Sequence, residues 1–220
     1  MIHIAPSILA ADFSRLGDEV AQIERAGVTR LHVDVMDGHF VPNLSMGPVV
    51  VESLRPHTKL LIEVHLMVAE PAKFVETFIA KGADLLTVHH EVLADARPVL
   101  AEIKKRGKKA GLAIKPETPV EALTPYLPLL DLALCMTVHP GFGGQAFLRD
   151  SPPRIARLRQ LIEAHNPACD LEVDGGIDAK TAPLALAAGA NVLVVGTAIF
   201  RHPAGSTAAI RELQALAGAH

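Results

Sequence analysis

Short runs rich in Val, Ile and Leu alternate with longer amphipathic segments along the whole chain. The apolar runs predict strands near residues 2–8, 30–36, 59–67, 84–89, 108–114, 131–138, 169–174 and 191–196. Helical spacing predicts helices near 12–26, 46–54, 71–81, 93–106, 119–124, 150–165, 178–188 and 205–217. Near-continuous apolar strands are what a parallel sheet needs when helices cover both of its faces. Asp12 and Asp178 stand where a side-chain cap opens a helix, and Pro71 suits a first helical turn. Gly27, Gly82, Gly107 and Gly189 stand where helices should stop, because a left-handed terminal residue favours glycine.

Eight strand–helix units in 220 residues predict an α/β fold, a single (β/α)8 TIM barrel of one domain spanning 1–220. A doubly wound open sheet is the competitor. It usually opens on a glycine-rich turn, and Ala5-Pro6-Ser7-Ile8-Leu9-Ala10 contains no glycine.

Composition narrows the functions. Half the residues are apolar and a fifth are charged, enough for a sizeable core. No apolar run approaches the roughly 18–20 residues of a membrane span. The first residues lack the charged and apolar regions of a signal peptide, so a cytoplasmic protein is expected. A net charge of −3, no basic block and no tryptophan argue against a nucleic-acid partner. Two cysteines, Cys135 and Cys169, read as buried reduced thiols, since no closely spaced Cys/His cluster suggests a structural zinc site.

Three strands break the apolar pattern. In the run Leu31 to Gly38, His32, Asp34 and Met36 share a face, because side chains two apart on a strand point the same way. Glu63, His65 and Met67 share a face of the next strand, and Glu172 and Asp174 share one late in the chain. Burying an unpaired carboxylate costs several kcal/mol, and a metal ion is the simplest compensation for carboxylate and neutral imidazole together. Two histidines and two aspartates at three strand ends therefore make a candidate four-ligand site: His32, Asp34, His65 and Asp174. Glu63 and Glu172 sit two residues below, placed either to orient those ligands or to pair with buried basic groups. Asp37 is placed to brace the loop from Gly38 to Asn43. His89 reads as a hydrogen-bonded histidine, and Lys115 as a strand-end cation that could pair with a carboxylate.

Late barrel loops often hold phosphate through backbone amides. Three glycine-bearing turns fall there: Pro140-Gly141-Phe142-Gly143-Gly144-Gln145, Asp174-Gly175-Gly176 and Val195-Gly196-Thr197. No lysine or arginine is obvious in these turns, so binding would rest on amide donors and helix dipoles.

These residues resemble the ribulose-phosphate 3-epimerase family nearly end to end. The resemblance runs through Ala5-Pro6-Ser7-Ile8-Leu9, the stretch from His32 to Asn43, His65-Leu66-Met67-Val68, Met136-Thr137-Val138, Pro140 to Gln145, and Glu172 to Gly176. It implies a ribulose-phosphate binding barrel that interconverts D-ribulose 5-phosphate and D-xylulose 5-phosphate in pentose phosphate metabolism. One divalent metal per subunit would be held by His32, Asp34, His65 and Asp174. Zinc stands first, with ferrous iron, manganese or cobalt also suited to this donor set. Asp34 and Asp174 would double as the acid/base pair. Substrate contacts would come from Ser7, His65, Gly141, Phe142, Gly143, Gly144, Asp174, Gly175, Gly176, Gly196 and Thr197. Met36, Met67 and Met136 would line the enediolate. A homo-oligomer, dimer or hexamer, is implied. His139 departs from the family pattern, which leaves the sugar contacts there open. The rivals are an epimerase of a six-carbon ketose phosphate such as allulose 6-phosphate, a decarboxylase on the same barrel, and a sugar-phosphate sensor without turnover. Asp34-Val35-Met36-Asp37 lacks the lysine between aspartates that the decarboxylase would need.

Overall fold

The structure, a computed structural model, describes residues 1–218. Eight strands form: β1 (His3–Pro6), β2 (Arg30–Met36), β3 (Leu61–Met67), β4 (Leu85–His89), β5 (Lys109–Ile114), β6 (Leu132–Met136), β7 (Asp170–Asp174) and β8 (Val192–Val195). All pair in parallel, in the order β1-β8-β7-β6-β5-β4-β3-β2. A bridge between Ser7 and His32 closes the seam between β1 and β2. The expected barrel therefore forms, and the open doubly wound alternative is excluded because its sheet would keep two free edges.

The helices are α1 (Leu16–Arg25), α2 (Pro48–Leu54), α3 (Val75–Ala80), α4 (Arg97–Lys105), α5 (Ser151–His165), α6 (Ala182–Ala187), α7 (Thr197–Phe200) and α8 (Ser206–Gly218). Gly27, Gly82, Gly107 and Gly189 all take positive φ, between 72° and 107°, at the helix ends where they were expected.

Local chemistry explains where the elements differ from expectation. The predicted helix at 119–124 is a 3-10 turn, Val120–Leu123, followed by another at Leu127–Leu129. Pro116, Pro119, Pro125 and Pro128 remove the backbone donors that an α-helix would use. The helix predicted at 178–188 shortens to α6, because Asp178 Oδ1 accepts from the amides of Lys180 and Thr181 and holds a turn first. Asp12 caps the 3-10 turn Phe13–Arg15, which leads into α1, rather than α1 itself. Pro71 opens another such turn, Pro71–Lys73, ahead of α3. The region from 93 starts its helix only at Arg97, since His90–Val92 winds its own turn. The four residues of α7 are too short to display a periodicity.

The main apolar core lies between sheet and helices. Leu31, Val33 and Val35 of β2 and Ile62, Val64 and Leu66 of β3 meet Val51, Phe78, Leu100, Ile103, Ile155 and Leu158 there. Each such side chain contributes about 1.5–3 kcal/mol by burial. The alternate residues point into the barrel. On β4 to β6 the apolar ones are Leu85, Ala113, Leu132, Leu134 and Met136, with Ala5, Val192 and Val194 opposite, while Thr87 and His89 of β4 are polar. On β2, β3 and β7 the inward positions below Met36 and Met67 are polar: His32 stands beside Glu63 and Asp34 beside His65, and Asp174 ends β7 beside Met136. The fold thus stacks its polar side chains in one sector of the barrel, at and below the C-terminal rim. Cys135 and Cys169 are buried and unpaired, and burial pushes the Cys169 thiol up to about 12.

Candidate active site

The strand register brings His32, Asp34, His65 and Asp174 to one point. Asp34 Oδ1 lies 3.2 Å from His32 Nε2 and 3.2 Å from His65 Nδ1. Asp174 Oδ2 lies 3.5 Å from His65 Nδ1 and 4.0 Å from His32 Nε2. One donor atom from each residue falls within 4.8 Å of all the others. A tetrahedral ion bound at about 2.1 Å needs donors about 3.4 Å apart. The donor set, two neutral-capable imidazoles and two carboxylates, and its spacing both fit such an ion.

Each imidazole also turns its second nitrogen to a partner. His32 Nδ1 lies 2.9 Å from Glu63 Oε1, and Glu63 Oε2 lies 3.7 Å from Arg30 Nη1. Arg30 in turn donates to Asp170 at 2.5 Å. Glu63 therefore does both things expected of it: it orients His32 and pairs with a buried cation. Glu172 Oε1 lies 3.8 Å from His32 Nδ1. Burial and the neighbouring Glu63 charge push Glu172 well above the ordinary range, whereas Glu63 stays below its usual value despite burial because His32 bonds to it. His65 Nε2 meets His89 Nε2 at 2.9 Å, and His89 Nδ1 meets Glu91 Oε2 at 3.0 Å. Burial pushes the His89 imidazole down to about 4.

Burial disfavours charge on Asp34, yet the His32 and His65 imidazoles outweigh it and hold the carboxyl far below its ordinary range. Burial likewise disfavours charge on both imidazoles, and the carboxylates reverse that, so each sits above the ordinary histidine value. Ser7 Oγ donates to Asp34 Oδ2 at 2.6 Å, which pins the plane of that carboxylate.

Above this floor opens a cavity of about 830 Å³. Ser7, Met36, Met67, Met136 and Asp174 line it near the four-residue cluster. Gly141, Phe142, Gly143, Gly144, Gly175, Gly176, Gly196 and Thr197 line it on the side of the late loops. All three glycine turns thus converge on one wall. Gly176 is required there: its φ is +67°, and an added Cβ would stand 2.3 Å from the Phe147 amide nitrogen. Because that neighbour is backbone, the loop must move to admit a side chain. Gly176→Ala is expected to cost about 3 kcal/mol of stability and to raise KM at least about tenfold, checked by denaturant unfolding and steady-state kinetics.

One wall is the loop after β2. Asp37 Oδ1 accepts from the amides of His39 and Phe40, and its Oδ2 accepts from Ala69 N at 2.8 Å, tying the loop to the end of β3. Asp37 braces this loop as expected. Asn43 Nδ2 donates to Gly141 O at 2.7 Å, joining it to the sixth-strand loop. Met36, Val41 and Met67 pack together beneath it. Charge-assisted bonds to backbone amides contribute about 1.5–3 kcal/mol each when shielded, less at this half-open position. Asp37→Ala is therefore expected to cost about 2 kcal/mol, a fall of about 6 °C in Tm, read by calorimetry.

Several residues depart from expectation. Lys115 does not pair with a carboxylate; its Nζ lies over the Phe40 ring, 3.8 Å from the centroid. Arg201 lines the cavity one turn beyond Thr197, so a cation does stand near the late loops. The turns themselves contain none, and only α7 brings Arg201 back. His139 turns its ring to Glu117, with Nδ1 2.6 Å from Oε1, and does not line the cavity. Ser45 was missed altogether: it donates to Asp34 O and accepts from Met36 N, fixing the end of β2. The His89–Glu91 contact was also missed, although Glu91 two residues after a strand-end histidine was a visible signal.

Among the described residues no helix is long and apolar enough to cross a membrane. Residues 3–200 match the model of the ribulose-phosphate 3 epimerase family. The chain is 46% identical over 201 residues to a ribulose-phosphate 3-epimerase of Bacillus subtilis, covering 91% of this chain and 93% of that one. It is 47% identical over 204 residues to the enzyme of that name from Synechocystis, covering 92% and 89%. A crystal structure of 3-hexulose-6-phosphate synthase superposes with a TM-score of 0.71 over 98% of this chain and 99% of that one, at 18% identity, which speaks to the barrel alone. Matched over nearly its whole length, the chain belongs to the ribulose-phosphate 3-epimerase family.

Proposed function

We propose that the chain interconverts D-ribulose 5-phosphate and D-xylulose 5-phosphate by two-carboxylate proton transfer. A divalent cation, zinc foremost, would be held by His32, Asp34, His65 and Asp174. The observation that carries this reading is the convergence of those four donors on one point, with Asp34 and Asp174 reaching the lining of the cavity that the late glycine turns also line and His32 and His65 buried behind them.

Carbon 3 of a 2-ketose lies next to a carbonyl. Inverting it means removing a proton from one face and returning one to the other, through an enediolate. Asp34 on β2 and Asp174 on β7 stand three places apart around the eight-strand ring, so a flat intermediate can lie between them. One carboxylate abstracts and the other donates, and the roles exchange in the reverse direction. A bound cation would supply Lewis-acid polarisation of the ketose oxygens, which offsets the weak basicity of Asp34, held so far below its usual range. Ser7 keeps Asp34 aimed by holding its other oxygen. Met36, Met67 and Met136 exclude water from the intermediate and offer it no proton, since a thioether has none to give. The amides of the turns at Gly143, Gly144, Gly176, Gly196 and Thr197 would hold the phosphate, with Arg201 adding charge.

The test follows product by NMR. Metal-loaded protein with D-ribulose 5-phosphate is expected to give D-xylulose 5-phosphate, and with allulose 6-phosphate markedly slower turnover. Faster turnover of the six-carbon substrate would move the assignment to that rival, and no turnover of either would leave the sensor reading.

A further inference from the structure

His65 has no carboxylate of its own on its outer nitrogen. His32 has Glu63 there, at 2.9 Å. His65 Nε2 instead faces His89 Nε2 at 2.9 Å, and the two rings stack with centroids 5.0 Å apart. His89 is completely buried, and its Nδ1 reaches Glu91 Oε2 at 3.0 Å. The other oxygen of Glu91 accepts from Lys115 N at 2.7 Å and from Thr118 Oγ1 at 2.5 Å.

Donors and acceptors fix the protons along this line. A carboxylate only accepts, so His89 must donate from Nδ1. A fully buried neutral imidazole then has a bare Nε2, which can only accept. His65 must therefore carry its hydrogen on Nε2. Its Nδ1, which faces Asp34 Oδ1 and Asp174 Oδ2, is then the nitrogen left for a cation. Reversing the order would put a hydrogen on Nδ1 and block it as a ligand.

We propose that Glu91 is a positioning residue that acts through His89 to hold His65 in the tautomer able to bind a divalent cation. The inference rests on the metal reading given above. Glu91 is not one of the four donors and does not line the cavity; it sets which nitrogen of His65 is free. Its second oxygen, fixed by the Lys115 amide and the Thr118 hydroxyl, prevents the carboxylate from turning away.

Glu91→Gln tests this with almost no change of shape. The Lys115 amide can only donate, so it keeps the Gln oxygen and forces the Gln NH2 toward His89. His89 must then accept at Nδ1 and donate from Nε2, which reverses the tautomer demanded of His65. Two readouts follow. Competition with a chromophoric chelator is expected to show Zn²⁺ bound about 10–100-fold more weakly by the variant than by wild type. Long-range ¹H–¹⁵N NMR of the zinc-loaded wild type is expected to place the His89 proton on Nδ1 alone. Unchanged zinc affinity in a folded Glu91→Gln, or a wild-type His89 protonated on Nε2, overturns the proposal, and the second reading needs no variant. Failure of the metal reading looks different: His32→Ala would then bind zinc as tightly as wild type, with neither protein holding a specific ion.

Discussion

Asp34→Asn is expected to lower kcat about 10⁴-fold, with Asp174→Asn close behind. A positioned acid or base contributes about 10²–10⁴ in rate, and Asp34 sits at the top of that range because it does several things at once. Its Oδ1 lies 3.2 Å from both imidazoles, and its Oδ2 takes the Ser7 hydroxyl at 2.6 Å. The amide preserves shape and the Ser7 bond but can neither take a proton nor balance the charge of a bound cation. Asp174 is freer, facing the cavity with 16% of its side chain exposed against 6% for Asp34. Its replacement should leave the other three donors better placed. The measurement is steady-state turnover at matched metal content, with circular dichroism showing that each variant folds.

Stripping the proposed divalent cation with a chelator is expected to abolish turnover and lower Tm by about 10 °C. Binding to the folded state alone stabilises by about 4 kcal/mol when the ion is a thousandfold above its Kd. For a chain of this length each kcal/mol moves Tm by about 2–4 °C. The site has reason to gain that much, since it crowds Asp34, Asp174, Glu63 and Glu172 around the barrel interior with Arg30 and two imidazoles as counter-charges. Calorimetry before and after chelation, then on adding Zn²⁺ back, reads the effect. An unchanged Tm together with full activity after chelation would sever the cluster from the chemistry.

The barrel was legible because its two periods do not overlap. The apolar strands and the glycines that end the helices mark every strand and most of the connections. What failed was local. Prolines flanking 119–124 compete with an apolar spacing that by itself reads as helix, and a helix of only four residues, α7, has no period to detect. The four-donor cluster was legible for the same reason as the barrel: in β2, β3 and β7 polar residues stand at alternate positions where apolar ones belong. The partners of those donors were only half legible. Glu63 shares a strand face with His65, but its bond is to His32 on the neighbouring strand, and only the register shows that. Ser45, Arg201 and Glu91 reach the site from loops and turns, where no periodicity says which way a side chain points. Lys115 had an obvious expected partner, a carboxylate, and took an aromatic face instead.

The proposed reaction needs two carboxylates serving opposite faces of carbon 3. The most direct measurement is hydrogen washout into D₂O from carbon 3 of each epimer, in wild type, Asp34→Asn and Asp174→Asn at matched metal content. Wild type is expected to exchange both epimers and interconvert them. Each variant should exchange the carbon-3 hydrogen of one epimer only, and the two variants should choose opposite epimers. Two variants that exchange the same epimer, or a variant that still interconverts both at the wild-type rate, would contradict it.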